Sequence, residues 1–86
     1  MNIPVSHDMT AIELARIEQG HCPDCEGTIF RHGPRGGMAQ NVECVQCLAR
    51  YNLARYQGIL VTAHRIPSEA DGGGAWREDM FPRVLE

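Results

Sequence analysis

Cys22-Pro-Asp-Cys25 and, after eighteen intervening residues, Cys44-Val-Gln-Cys47 are the segments that decide how this chain folds. They hold all four of its cysteines, in two pairs of identical C-x-x-C spacing. A C-x-x-C loop turns back on itself, so both sulfurs face one point. Two such loops brought together offer four thiolates in a tetrahedron, which Zn²⁺ accepts in closed structural sites. Competing chemistries fit less well. Thioredoxin-like redox work needs one pair opening a helix in a βαβ unit. A disulfide framework needs an oxidising compartment. Cys22, Cys25, Cys44 and Cys47 are therefore read as the ligands of one Zn²⁺.

The residues between the pairs explain the spacing. Thr28 to His32 has strand character, Gly33-Pro-Arg-Gly-Gly37 reads as a turn, and Met38 to Glu43 returns as a second strand. The result is a β-hairpin with a ligand pair at each open end. Beyond Cys47 the pattern divides. Leu48 to Gln57 has good helix formers, yet Tyr51 and Leu53 alternate with Arg50 and Asn52 as in a strand. Ile59 to Ile66 is the clearest strand, β-branched and bounded by Gly58 and Pro67. A strand over 48–57 gives a zinc ribbon and a helix there gives a treble clef. The ribbon is preferred, because the strand over 59–66 needs an edge to pair with.

Upstream, Thr10-Ala-Ile-Glu13 fits a capping box, predicting a helix over 11–19 with Ile12, Leu14 and Ile17 on its apolar face and Gly20 as its end. Downstream of Pro67, Ser-Glu-Ala-Asp-Gly-Gly-Gly74 reads as a flexible acidic linker. After it stand Trp76 and Phe81, which either fold back over the sheet or anchor a partner. The chain thus divides into a helical segment (1–20), a metal-binding β domain (21–66) and a linker with a tryptophan-containing tail (67–86).

With 86 residues, the chain is small enough that a metal staple decides whether its middle folds. A structural zinc site contributes about 10–16 kcal/mol near neutral pH, more than so small a core. The formal net charge is −3, and every cation is arginine. Residues 21–66 carry a net +2, through Arg31, Arg35, Arg50, Arg55 and Arg65 against Asp24, Glu26 and Glu43. The flanking segments are acidic. An acidic total disfavours general binding to phosphate backbones, while Arg31, Arg35, Arg50 and Arg55 interleaved with aromatics leave room for a local nucleic-acid face. No apolar run approaches a membrane span, and Met1 to Asp8 lacks the features of a secretory leader. The cytoplasm is the expected compartment. His7, His21, His32 and His64 have no spacing that suggests catalysis, and no catalytic residue is assigned.

Cys22-Pro-Asp-Cys25-Glu-Gly27, the Gly-Pro-Arg-Gly-Gly turn, Asn41-Val-Glu-Cys44-Val-Gln-Cys47 and Ala49-Arg-Tyr-Asn52 resemble the small C-P-x-C zinc ribbons of bacteria and bacteriophages. The likeness covers roughly residues 21–66. It implies zinc on the four cysteines and a β-ribbon core, and it implies little about activity, since ribbons serve many machines. One departure stands out. Such knuckles often place glycine directly after the second cysteine, where the chain needs positive φ. This chain has Glu26 and Leu48 there. The functional expectation is a non-enzymatic module docking on a larger protein or nucleoprotein machine, in transcription or phage–host interaction. Arg31, Arg35, Arg50, Arg55, Trp76 and Phe81 are its candidate contacts, and nucleic-acid binding through the central arginines is the alternative.

Overall fold

Alternation of apolar and polar residues carries the chain into one six-stranded sheet. The computed structural model describes residues 5–76 and 81–85. Its elements are β1 (Ser6–His7), α1 (Ala11–Glu18), β2 (Phe30–Gly36), β3 (Ala39–Cys44), β4 (Arg50–Tyr56), β5 (Ile59–Ile66), a helical turn over Glu69–Gly73, and β6 (Pro82–Arg83). The strands lie in the order β1-β5-β4-β3-β2-β6. Neighbours are antiparallel except β1, which runs parallel to β5.

The segment after Cys47 is a central strand, paired to β3 on one side and β5 on the other. The helix that a treble clef would require there is not formed. Tyr51 and Leu53 decide the matter. They stand opposite Val42 and Gln40 on β3, and Arg65 and Ala63 on β5. Val42, Tyr51, Leu53 and Ala63 are buried on one face with Met9, Ile17, Phe30 and Leu60. A helix would have scattered that stripe around its axis.

The hairpin turn sits further along than its glycines suggested. β2 continues through Gly33 and Pro34, with the register shifting between His32 and Arg35, and the chain reverses at Gly37 and Met38. Pro34 has no N–H to give a ladder, so it is tolerated within the irregularity. Gly37 has a φ of 56°, where a side chain would be strained.

α1 begins as its sequence requires. The Thr10 side chain accepts from Glu13 N–H, and the Glu13 carboxylate accepts from Thr10 N–H at 2.9 Å. Ile17 is fully buried in the core, whereas Ile12 points to solvent. Among the described residues no helix is long and apolar enough to cross a membrane.

Both flanks belong to the sheet. β1 pairs with Thr62–Ala63, and the Asp8 carboxylate accepts from Arg65 N–H just beyond at 3.1 Å. β6 pairs with Phe30–Arg31 at the opposite edge. The expected linker after Pro67 is a compact turn capped by Ser68, with Gly73 N–H donating to the Ser68 carbonyl at 2.8 Å. Gly73 packs against the carbonyl of Pro67 so closely that a side chain there would overlap it.

Candidate metal centre

The two C-x-x-C loops adopt one backbone conformation, repeated. Cys22 N–H donates to the Gly27 carbonyl at 2.7 Å, and Cys44 N–H to the Ala49 carbonyl at 2.9 Å. Glu26 N–H and Leu48 N–H return to the carbonyls of Cys22 and Cys44, both at 2.8 Å. The residue after each second cysteine is left-handed, with φ of 66° at Glu26 and 68° at Leu48. The positive-φ requirement is thus met without glycine, and the second loop is formed as fully as the first.

The loops face each other across the open end of the β2–β3 hairpin. All four Sγ atoms lie within 4.8 Å of one another. Cys22 approaches Cys47 at 3.5 Å, and Cys25 approaches Cys44 at 3.4 Å. A tetrahedron of sulfurs about 2.3 Å from a central ion has edges of roughly 3.8 Å, so this donor set fits a tetrahedral thiolate-binding metal. A side chain at Gly27 would come within 3.4 Å of the sulfurs of Cys25 and Cys44, so glycine leaves the pocket clear.

Burial, reinforced by the neighbouring thiols of Cys22 and Cys25, pushes the Cys47 thiol up. Crowded sulfurs resist ionising together, and a divalent cation among them inverts that preference. Tyr51 assists from below. Its hydroxyl lies 3.8 Å from Cys22 Sγ, and burial followed by the nearby Cys22 raises its pKa, so it keeps its proton beside that sulfur. Arg65 closes the group. Its guanidinium donates to Asp24 at 2.8 Å and to Glu13 at 2.6 Å, and lies over the Tyr51 ring at 5.2 Å. Its pKa is raised, chiefly by the hydrogen bond to Asp24. This places a positive charge on Asp24 and Tyr51, two neighbours of the cluster, where it would offset the excess charge of four thiolates on one divalent ion.

Tyr51 and Arg65 were not singled out by the sequence as supports of the site. The signal for both lies in strand register, because Tyr51 is directly opposite Arg65 and on the same face as the core. His21 stays outside the sulfur cluster, with Nδ1 3.4 Å from the Glu26 carbonyl.

The central arginines are divided. Arg50 is only 2% exposed. Its Nε donates to Glu43 at 2.8 Å, its Nη1 donates to the Gly74 carbonyl at 2.7 Å, and its guanidinium stacks on the Trp76 ring at 4.1 Å. Arg31, partly exposed, donates to the other oxygen of Glu43 at 2.9 Å. Arg35 and Arg55 lie elsewhere, along a groove shared with Arg83. Trp76 is folded back onto the sheet over Gly33, where even a methyl group would overlap the indole. Phe81 is 80% exposed. Residues 77–80 of the tail lie outside the described residues.

The fold and site together give a small β-rich domain with four converging cysteines able to hold a metal ion. Comparison with protein-family models, curated proteins and solved structures gave no match to this chain.

Proposed function

We propose that the chain is a zinc-ribbon module without catalytic activity, which docks on a larger protein or nucleoprotein assembly in the cytoplasm. One observation carries the reading: the sulfurs of Cys22, Cys25, Cys44 and Cys47 all lie within 4.8 Å of one another. A catalytic zinc keeps a position open for water or substrate and commonly has fewer thiolates. A closed tetrathiolate site holds structure instead. Four thiolates in a tetrahedron suit zinc, and they suit a reducing compartment. The zinc would be held by Cys22 and Cys25 from the first loop and Cys44 and Cys47 from the second. Its role there is to lock the hairpin's open end.

The arrangement of the arginines supports a protein partner over nucleic acid. Two of the four central arginines, Arg31 and Arg50, are committed to Glu43 and so do not extend a continuous basic face. The nucleic-acid alternative would have to rest on the remaining cations.

Elemental analysis of the purified chain is expected to give one zinc per molecule, with chelation abolishing the β-sheet circular dichroism signal. Substoichiometric metal in carefully prepared protein, or a spectrum indifferent to chelator, overturns the reading.

A further inference from the structure

We infer that the groove lined by Arg35, Arg55 and Arg83 is a docking site for an acidic, partly apolar peptide segment of a protein partner. The inference rests on the protein-docking reading above and names the surface and chemistry of that contact.

The groove has a volume of about 440 Å³, within the range of sites that take several side chains of a ligand. Met38, Leu53 and Leu85 give it apolar lining beside the polar His32 and Gln40. Around it stand three guanidinium groups from three separate strands or turns, and no acidic residue lines it among those described. Arg35 and Arg83 form no ion pair with any described residue, in contrast to Arg31, Arg50 and Arg65. Arginine forks match carboxylates in bidentate geometry. The apolar lining residues ask for an aliphatic or aromatic side chain between those carboxylates.

Charge selects between polyanions. The chain is already acidic at −3, and a tetrathiolate zinc site would carry it to about −5. A long phosphate backbone crossing such a molecule meets repulsion beyond the groove. A short acidic segment meets only the local arginines.

The test uses the full, zinc-loaded chain and the fluorescence anisotropy of a labelled octapeptide of six glutamates and two leucines. The comparison ligands are the same peptide with glutamine for glutamate and an eight-residue oligothymidylate. The acidic peptide is expected to bind. Replacing its glutamates, or making the double substitution Arg35→Gln with Arg83→Gln, is expected to weaken binding by about tenfold or more. Arg31→Gln, on the Glu43 side, should change it less than twofold. Zinc content, measured on each variant, should stay constant. No peptide binding, or binding insensitive to the double substitution, overturns the groove assignment while retained zinc leaves the metal module standing. Tighter binding of the oligothymidylate also overturns it, in favour of a phosphate ligand. Absence of zinc from the parent chain removes the underlying reading itself.

Discussion

Leu48 holds a conformation that suits it poorly. A left-handed backbone costs an ordinary residue roughly 1–2 kcal/mol, and glycine escapes the penalty. The side chain gains little in return, being 55% exposed. Leu48→Gly should therefore raise stability by about 0.5–1 kcal/mol, after allowing for the greater freedom of glycine in the unfolded chain. Leu48→Ala keeps the φ penalty and should bring no gain. Urea denaturation of the zinc-saturated variants measures both. The departure from glycine seen in the sequence thus marks local strain rather than a different fold. The ligands themselves were legible because C-x-x-C geometry is local. The strain was legible only as an exception, since sequence alone does not show whether a loop accepts the penalty or abandons the conformation.

At the level of elements, the polar face of the sheet is organised by one carboxylate. Glu43, almost fully buried, accepts from Arg50 and Arg31, and Arg50 in turn holds the turn after Pro67 and the Trp76 ring. Glu43→Gln removes the counter-ion from a buried guanidinium, and breaking such a pair typically costs about 3–5 kcal/mol. Arg31→Gln removes a partly exposed partner and should cost no more than about 1 kcal/mol. The difference identifies the Glu43–Arg50 bond as the one that matters. Trp76 fluorescence should shift to longer wavelength in Glu43→Gln as the indole loses its seat, with little change in Arg31→Gln. A blue emission retained in Glu43→Gln would show that Gly33 alone seats the ring. Only the return of Trp76 to the sheet was legible beforehand, as one of two options for the tail. Arg50 reads as a surface cation until β4 is seen between two neighbours, and its stacking partner Trp76 lies 26 residues away along the chain. By contrast, the capping box and β5 were plain in the sequence, because each depends on residues adjacent along the chain.

Across the whole molecule, Arg65 joins helix, sheet and first metal loop through Glu13, Tyr51 and Asp24. The Glu13 carboxyl lies below the usual glutamate range, chiefly through the Thr10 backbone hydrogen bond and then through Arg65. A depressed carboxylate stabilises fully above its unfolded pKa, about 4.3, and loses that contribution as pH falls through the folded value. Thiolate–metal bonds yield to protons as well. Glu13→Gln keeps an acceptor for the capping box but loses the charge facing Arg65, so it should cost about 0.5 kcal/mol at neutral pH. The gap between wild type and variant, read from urea midpoints, should stay flat from pH 8 to about 5, shrinking only below about 4.3. A gap that narrows already between pH 7 and 6 would contradict the lowered carboxyl.

Among the described residues, β1 covers only Thr62 and Ala63 on the outer edge of β5, and an open row of backbone groups of that kind invites stacking by other chains. Asp8 stands in the way. Its carboxylate occupies the Arg65 N–H that an incoming chain would want. Any recruit must displace that carboxylate from the strand edge. A single side chain near the amino end therefore acts as a guard against fibre-like growth.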